Sequence, residues 1–276
     1  DTGIRNVGTY RGMVKARNRL GILAHRTQHM GVHMAKCKKL NKPLEVAIIL
    51  GYPPQVGLCS VTKIPYGIDE FSIAGGIAGE PIPLVKCETI DMEVPADAEI
   101  VLEGIIPTDY LEPEAPFGEF TGYIGERILS PVFHIQCITH RRNPIYHAYI
   151  SQFPPSESST IRGIGREAVL YKHLKHNCNV PGILDVACHE YCGSNNYVVI
   201  QMDKIHNSHA WQALNSAAGY DPGLGKIIVA VDKDIDPHDS ENVNWALCYR
   251  MQPHLDMRVV PGRVYALDPS SAHPGS

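Results

Sequence analysis

The sequence lacks features that would each point to a different class of protein. No apolar run is long enough to span a bilayer, and the first residues show no signal-peptide pattern. Eight cysteines are present, but no two have C-x-x-C spacing, so reduced thiols are expected and not a disulfide framework. These absences predict a cytoplasmic protein without a membrane partner.

The chain also lacks an excess of charge of either sign. Its 25 Lys and Arg residues against 29 Asp and Glu residues give a net charge of −4, which predicts no nucleic-acid partner. Aromatic residues make up only 7% of the sequence, yet hydrophobic residues reach 44% of 276 positions. That content is enough for a sizeable core and roughly two domains.

Zinc-binding patterns are weak. A His-Glu-x-x-His motif is absent, and the segment Cys188-His-Glu-Tyr-Cys192 has no second cysteine pair. Its three-residue gap also lies in a predicted strand, so we interpret these two cysteines as structural.

Two carboxylates lie five positions apart in the string Glu114-x-Pro-Phe-Gly-Glu119. The proline and glycine between them predict a turn. Two acids on one loop suit proton chemistry, because different environments let one stay ionised while the other carries a proton. Taken alone, the pair is more typical of a solvated acidic turn between strands, because Glu and Pro are common in exposed loops.

Other segments carry polar groups that suit a mixed oxygen and nitrogen metal site. Asn6 offers an amide oxygen, His29 an imidazole nitrogen, and Glu70 a carboxylate just before an apolar, Gly-rich run. Such a donor set suits Mn²⁺ or Mg²⁺. Arg11, a permanent cation near Asn6, is a natural partner for a carboxylate or a phosphate.

In this order and at these intervals, the segments resemble the UbiD family of prenylated-flavin-dependent decarboxylases. The resemblance covers nearly the whole chain, and its glutamate string is highly specific in this context. The motifs that carry it are Asn6-x-Gly-x-x-Arg11, Gln28-His29, Asp69-Glu70-Phe71, residues 94–104, Glu114-x-Pro-Phe-Gly-Glu119, residues 231–237 and Trp245-Ala246.

The resemblance implies a function and a catalytic trio. It implies reversible non-oxidative decarboxylation of an aromatic, heteroaromatic or α,β-unsaturated carboxylic acid, with prenylated FMN as the electron sink that side chains do not supply. Arg11, held by Glu114, would orient the substrate carboxylate, and Glu119 would protonate the carbon that loses CO₂. Two alternatives stay open: an ordinary flavin-binding split-barrel oxidoreductase, and a non-catalytic subunit of a carboxylase complex.

The same resemblance implies the ligands of the cofactor and of two cations. Asn6, His29 and Glu70 would bind the divalent metal, Mn²⁺ or Mg²⁺, and Ser60 would help to bind K⁺. The residues expected to contact the cofactor are Asn6, Val7, Gly8, Thr9, Tyr10, Arg11, Gln28, His29 and Glu70.

Substrate choice is less constrained. By resemblance, the pocket includes His25, Gln28, Phe120 and residues 153–162. The polar groups of His25 and Arg162 favour a hydroxylated or heteroaromatic acid over an apolar one, because sites built to hydrogen-bond a substituent reject analogues without it. Arg162 is equally well explained as a surface charge at the start of a helix.

Strand-like runs dominate the first half of the chain, with one helical pattern at residues 28–40. Helices and strands alternate in the second half after a helical pattern at 161–175. The predicted strands are residues 9–15, 21–25, 44–50, 73–77, 84–94, 100–106, 121–125, 132–139, 183–188, 197–202, 226–231 and 257–260. The later helices are predicted at 208–218 and 240–250.

We therefore expect an α+β protein in which a flavin-reductase-like split β-barrel is followed by an α/β sandwich. The predicted parts are a barrel binding prenylated FMN and metal at 1–158, a linking helix at 159–180, and an oligomerisation domain at 181–276. The resemblance also implies a homodimer or higher homo-oligomer, and a flavin prenyltransferase that supplies the cofactor. Because family members extend beyond both ends, we expect this chain to be an excerpt of a longer protein.

Overall fold

In a computed structural model, which describes residues 3–26, 28–221, 223–261, 267, 268 and 270, the chain divides into two compact units. The first unit contains the residues up to Phe117 together with Ile124–Tyr149. The second unit contains Gly118–Tyr123 and the residues from Ile150 onward. The short segment Gly118–Tyr123 thus belongs to the second unit, although both of its flanks belong to the first.

The first unit contains a six-stranded antiparallel sheet and a separate two-stranded ribbon. Its strands are β1 (Gly12–Ala16), β2 (Arg19–Ile22), β3 (Leu44–Leu50), β4 (Leu84–Lys86), β5 (Glu93–Pro95), β6 (Ile100–Ile106), β7 (Leu111–Glu114) and β8 (Ile128–His140). The sheet order is β1-β2-β8-β6-β3, with β7 also paired to β8, while β4 and β5 form the ribbon. Among the described residues this path does not close into a barrel, so the split-barrel description stays a prediction.

Three helices pack in the first unit, α1 (His29–Lys39), α2 (Pro54–Val61) and α3 (Glu70–Ala78). The core that joins α1 to the sheet contains the buried residues Ile22, Met30, Ile106 and Phe133. The core around α2 and α3 contains the buried residues Val56, Cys59, Ile64, Phe71 and Ala74. Both cores place the N-terminal ends of helices near the segment that precedes β1, as the contacts below show.

The second unit is a three-stranded sheet with helices on both faces. Its elements are α4 (Glu157–Lys172), β9 (Ile183–Cys188), β10 (Tyr197–Met202), α5 (Asn207–Tyr220), β11 (Ile227–Asp232), α6 (Ser240–Tyr249) and α7 (Pro253–Asp256). The central strand β10 is antiparallel to β9 and parallel to β11. Successive residues of β10 face opposite sides, so Val198 packs with Leu170 of α4, whereas Val199 packs with Val243 of α6.

The predicted strand at residues 73–77 is wrong, because this run lies inside helix α3. Asp69 caps the helix, its Oδ1 accepting the Phe71 N–H at 2.9 Å, and Gly79 ends it in the left-handed conformation at φ +78°. Phe71 and Ala74 lie one turn apart and are both buried. The caps and the helical spacing therefore outweigh the β-branched isoleucines. The prediction of only one helix in the first half is also wrong, because α2 and α3 are both helical.

Of three other strand predictions, two are wrong and one is confirmed only at its ends. Residues 84–94 form two short strands separated by a turn at 87–92. Residues 121–125 form a turn around Gly122, which has φ +86°. Residues 257–260 have no regular structure. In each case the apolar run is interrupted by local hydrogen bonds or lacks a partner strand among the described residues.

The helical pattern at 161–175 corresponds to α4 and to a π-helical turn at His173–Asn177. This helix belongs to the second unit, where it packs against β9. The roles expected for residues 1–158, 159–180 and 181–276 stay a prediction. In the part of the chain that the structure describes, no helix combines the length and apolarity needed to cross a membrane.

Candidate active site

Arg11 and Glu114 form an ion pair with two hydrogen bonds in the first unit. Arg11 Nε and Nη2 donate to Glu114 Oε1 and Oε2 at 2.8 and 2.9 Å. The Glu114 side chain is fully buried, whereas 24% of the Arg11 side chain is exposed. The guanidinium also lies over the ring of Phe117, 4.5 Å from its centroid. Contacts to both carboxylate oxygens and to an aromatic face fix the plane of the guanidinium.

The local chain makes room for this buried pair. Arg11 directly precedes β1 and Glu114 is the last residue of β7. A Cβ added at Gly21 on β2 would lie 3.3 Å from Glu114 Cγ and 2.7 Å from Lys15 Cε. The absence of a side chain at Gly21 therefore leaves the space that Glu114 occupies. After Glu114 the chain turns away from the strand, with Ala115 at φ +76°.

Asn6, His29 and Glu70 come together in the first unit. His29 Nδ1 lies 3.0 Å from Asn6 Oδ1 and 3.8 Å from Glu70 Oε1. His29 and Glu70 are the first residues of α1 and α3, so the site is formed where two helices begin. Glu70 is only 3% exposed, and its Oε2 accepts the N–H of Val7 at 2.9 Å. Burial raises the pKa of Glu70, while the hydrogen bond from Val7 acts in the opposite direction.

This donor set fits a divalent cation. An amide oxygen, an imidazole nitrogen and a carboxylate oxygen are the ligand types that suit Mn²⁺ or Mg²⁺, which complete their coordination with water or phosphate oxygens. No group of three or more His, Cys, Asp or Glu residues able to hold a metal occurs in the described ranges. The proposed site contains only two residues of these types, His29 and Glu70, and the Asn6 amide supplies the third donor.

Two neighbours of this site have no clear signal in the sequence. The ring of Tyr66 meets the His29 ring edge-on, with centroids 5.3 Å apart. Arg5 donates to Asp69 Oδ2 from Nη2 at 2.7 Å and from Nε at 3.1 Å. Asp69 therefore caps α3 and anchors the N-terminal segment at once, which positions Glu70 next to it. Only the capping role of Asp69 could be read from sequence.

A cavity of about 1290 Å³ lies in the first unit, and residues 6–10 form part of its wall. Ser60 lines it as well; the Thr9 N–H donates to Ser60 O at 3.0 Å, and the two hydroxyl groups lie 2.7 Å apart. The Tyr10 hydroxyl accepts from Asn6 Nδ2 and from the Met30 N–H, each at 3.3 Å. A cavity of this size is large enough for a cofactor.

Gln28 and His25 contact each other through two hydrogen bonds. The Gln28 side-chain oxygen accepts the His25 N–H at 2.9 Å, and the Gln28 N–H donates to His25 O at 3.0 Å. Gln28 is exposed and immediately precedes α1. The pair thus closes the turn that leads into His29.

Glu119 lies in the second unit, on the turn Gly118–Tyr123. Its N–H donates to Tyr123 O at 2.8 Å, and Gly122 N–H donates to Glu119 O at 3.0 Å. The trio predicted from sequence is therefore divided in the chain, with Arg11 and Glu114 in the first unit and Glu119 in the second. The string that joins Glu114 to Glu119 passes from one unit to the other after Phe117.

Phe120 and Arg162, both predicted to line the substrate pocket, contact each other in the second unit. The Arg162 guanidinium lies 4.9 Å from the centroid of the Phe120 ring, and Arg162 Nε donates to Ser158 O at 3.1 Å. Phe120 is 9% exposed. A role of Arg162 in holding Phe120 is thus visible in the structure.

Glu190 accepts three hydrogen bonds at the start of α4. Its Oε1 accepts from Ser159 Oγ at 2.8 Å, Thr160 Oγ1 at 2.9 Å and the Ser156 N–H at 3.2 Å. The bond from Ser159 is the largest influence lowering the pKa of Glu190, and those from Thr160 and Ser156 add to it against partial burial. Because the folded-state pKa lies below the unfolded value, ionised Glu190 stabilises the fold above the unfolded pKa, and this contribution is lost as the pH falls through the folded value.

We expect Glu190→Gln to lower the free energy of unfolding at neutral pH and to make the loss of stability in acid less steep. Urea unfolding at neutral pH and at about pH 3, below the ordinary glutamate pKa, measures both effects. Glu126→Gln, at an exposed glutamate outside the helices and strands, is the control and should change neither. Equal pH profiles for Glu190→Gln and the unchanged protein would contradict the prediction.

Comparison with known proteins covers both units. Residues 1–154 match the family model of the 3-octaprenyl-4-hydroxybenzoate carboxy-lyase Rift-related domain, and residues 159–276 match that of the C-terminal domain of the same enzyme. A curated relative, the phenolic acid decarboxylase of Bacillus subtilis, is 35% identical over 274 residues, which are 98% of this chain and 57% of the relative.

Solved structures agree with these matches. The UbiD-class enzyme HmfF from Pelotomaculum thermopropionicum, in complex with prFMN, has a TM-score of 0.86 and 38% identity over 92% of this chain and 58% of its own. The vanillic acid decarboxylase of Sedimentibacter hydroxybenzoicus, in its closed form, has a TM-score of 0.82 and 33% identity over 90% of this chain and 52% of its own.

The fold and the two matched domains define a class of proteins of mixed α and β structure, in which a Rift-related domain is followed by a C-terminal domain. Within that class, the chain belongs to the UbiD family. The chain spans a little more than half the length of these relatives.

Proposed function

We propose that the protein is a UbiD-type carboxy-lyase that reversibly decarboxylates an aromatic, heteroaromatic or α,β-unsaturated carboxylic acid with prenylated FMN. The observation that carries the proposal is the Arg11–Glu114 pair, in which a buried carboxylate holds a partly exposed guanidinium by two bonds. An arginine fixed in this way can bind a substrate carboxylate with a defined orientation. The complex of HmfF with prFMN, and the decarboxylases among the relatives, support the choice of reaction and cofactor.

Asn6, His29 and Glu70 are proposed to hold Mn²⁺ or Mg²⁺, which would help to bind the cofactor, and Ser60 is proposed to contribute to a K⁺ site. The remaining proposed cofactor contacts are Val7, Gly8, Thr9, Tyr10, Arg11 and Gln28. When bound, prenylated FMN supplies the electron sink that loss of CO₂ from an sp² carbon requires. The hydrogen bonds from the Val7 N–H to Glu70 and from the Thr9 N–H to Ser60 anchor the backbone of this segment, which supports the proposed role.

Two residues of the protein are proposed to have different catalytic roles, Arg11 in substrate orientation and Glu119 in proton transfer. Arg11, with its plane fixed by Glu114 and Phe117, orients the substrate carboxylate toward loss of CO₂. Glu119 delivers a proton to the carbon that CO₂ leaves, and takes it back in the carboxylation direction. Because Glu119 is partly exposed, its proton can be replenished from solvent.

The substrate is proposed to carry a polar substituent. The vanillic and phenolic acid decarboxylases among the relatives favour a hydroxylated aromatic acid for this protein as well. His25 is the proposed hydrogen-bonding partner for that substituent. The split-barrel cofactor domain, the assembly role of the second unit, a homodimeric or larger assembly, the flavin prenyltransferase as supplier and a cytoplasmic location are parts of the same proposal.

The test uses the full-length protein, co-produced with a flavin prenyltransferase and supplied with Mn²⁺ and K⁺. Release of CO₂ and deuterium exchange at the vacated carbon are measured on hydroxybenzoic, heteroaromatic and acrylic acids. The proposal expects activity that requires the prenyltransferase. Preparations that bind no flavin, or that act with FMN and a nicotinamide donor alone, would refute it.

The metal site makes a separate prediction that does not depend on turnover. We expect Glu70→Gln to weaken Mn²⁺ binding by at least the ~10–100-fold that loss of a supporting group commonly costs, because a charged ligand becomes a neutral amide. Titration of Mn²⁺ followed by electron paramagnetic resonance measures the affinity. Glu80→Gln, at an exposed position two residues after α3 ends, is the matched control and should bind as the unchanged protein does. Unchanged affinity in Glu70→Gln would remove Glu70 from the site.

A further inference from the structure

The Glu119 turn is attached to the second unit through the side chain of Phe120. The Phe120 ring is buried and packs directly against the main chain at Gly193. A Cβ added at Gly193 would lie 2.4 Å from Phe120 Cε2 and 2.8 Å from Cδ2. Arg162 contacts the same ring, with its guanidinium 4.9 Å from the centroid. The ring is therefore held by a cation and by a backbone position that has no side chain.

Gly193 itself sits on a turn that is tied to α4. It ends the 3₁₀ turn Glu190–Cys192 with φ +70°, and its N–H donates to Glu190 O at 2.8 Å. Arg166 Nη1 of α4 donates to Ser194 O at 2.8 Å. Ser194 Oγ donates to Ser159 O, also of α4, at 2.8 Å. These hydrogen bonds limit how far the backbone of Gly193 could move to relieve a clash between a new side chain and the Phe120 ring.

A side chain at position 193 would therefore be unfavourable for two reasons. A residue with a Cβ is strained at φ +70°. The same Cβ would also push the Phe120 ring, which is the more movable of the two partners because Gly193 is held by the bonds to α4. Phe120 follows Glu119 directly in the chain, so displacement of the ring displaces the carboxylate.

From this geometry we infer that Gly193 is a positioning residue for proton delivery: through the Phe120 ring, it sets where the Glu119 carboxylate lies. The inference rests on the proposed role of Glu119 as the proton donor. Arg162 takes part by holding the ring, which gives this cation a function other than contact with substrate. Arg11 and Glu114 lie in the first unit, whereas Gly193 and Phe120 both lie in the second.

The test is Gly193→Ala in the full-length protein co-produced with the prenyltransferase. Hydrogen exchange of the amides in Gly118–Tyr123 is expected to become about tenfold faster, because the turn is opened locally. The value of kcat is expected to fall by about 100-fold, as for a catalytic group displaced by roughly 1 Å, with little change in KM. Exchange in β9 and β10 should stay as in the unchanged protein.

Two comparisons separate positioning from backbone strain. Gly79→Ala has nearly the same strain, at φ +78°, but no atom lies within 4 Å of the new Cβ, so exchange and kcat should be unchanged. Phe120→Leu removes the ring, including Cε2, the atom that the new Cβ at position 193 would approach most closely. In the Phe120→Leu protein, adding Gly193→Ala should therefore change hydrogen exchange and kcat far less than it does in the protein that keeps Phe120.

The results test the positioning role of Gly193 separately from the proposed decarboxylase function. Unchanged exchange in Gly118–Tyr123 after Gly193→Ala, or faster exchange with normal kcat, would overturn the positioning role. Equal effects of Gly193→Ala with Phe120 and with Leu at position 120 would overturn it as well. If Gly193→Ala fails to fold, Phe120→Leu alone decides, because normal exchange and kcat there would overturn the inference. Faster exchange in a protein that is inactive even without a substitution would instead refute the proposed function and leave the Gly193–Phe120 contact established.

Discussion

Arg11→Ala is expected to lower the free energy of unfolding by about 3–5 kcal/mol, the usual effect of removing one partner from a buried ion pair. The Glu114 side chain is fully buried, and both of its oxygens accept from Arg11. Without the guanidinium, this carboxylate has lost the two hydrogen bonds that compensate for its burial. Turnover should be lost as well, because the group proposed to orient the substrate carboxylate is absent. Urea unfolding and CO₂ release from the full-length protein measure the two effects.

Two control variants separate stability from catalysis in this experiment. Arg11→Lys keeps the charge but cannot form two parallel bonds to one carboxylate, so it should recover part of the stability and little of the activity. The double variant Arg11→Met with Glu114→Leu replaces the pair by apolar groups and should recover most of the stability with no activity. An Arg11→Ala protein as stable as the original would show that the ion pair is not the buried contact described above.

Glu119→Gln is expected to reduce turnover by about 10²–10⁴-fold, the range that a positioned general acid contributes. The amide is nearly the same size as the carboxyl group but does not release a proton. Because the amide has nearly the same size and Glu119 is partly exposed, the free energy of unfolding should change much less than in Arg11→Ala, and the cofactor should stay bound. Deuterium exchange at the vacated carbon should be lost together with CO₂ release.

Glu126→Gln is the matched control, because it makes the same change at an exposed glutamate seven positions later. It should leave turnover and exchange intact. Normal turnover in Glu119→Gln would assign proton delivery to another group and would remove the basis for the role of Gly193. A loss of bound flavin in Glu119→Gln would show that this residue acts in cofactor binding.

Arg11→Ala and Glu119→Gln are expected to have different effects on stability, because Arg11 and Glu119 lie in different environments. Arg11 and Glu114 form a buried contact in the first unit, so changes there affect both folding and activity. Glu119 lies on a partly exposed turn of the second unit, so a neutral replacement of the same size is expected to affect activity far more than folding. A stability measurement beside each activity measurement therefore tests the assignment of the residues as well as their roles.

Several elements were predictable from sequence because their patterns are local. The predicted strands at residues 44–50, 100–106, 183–188 and 197–202 coincide with β3, β6, β9 and β10. Each is a run of mostly apolar residues, many of them β-branched, and pairs in the interior of a sheet or along its full edge. The family was also evident from sequence, because the Glu114-x-Pro-Phe-Gly-Glu119 string and its companions occur in a specific order.

The failures have an equally local cause. Residues 73–77 look like a strand because isoleucines enclose small residues, but the caps at Asp69 and Gly79 fix a helix. Residues 121–125 contain Tyr and Ile, yet Gly122 at φ +86° bends them into the turn that carries Glu119. In both cases local capping or turn geometry outweighs the average preference of the side chains in the run.

For the site, the sequence by itself determined which chemical groups are present: an amide, an imidazole and carboxylates in motifs that identify the family. Only the tertiary structure decided which of them meet. His29 and Asn6 come within 3.0 Å because α1 begins beside the segment before β1, and Glu114 reaches Arg11 across 103 positions because Gly21 leaves it space. The contact between Phe120 and Gly193 has no sequence signal at all, because the fit of a ring against a bare backbone depends on distances that only folding sets.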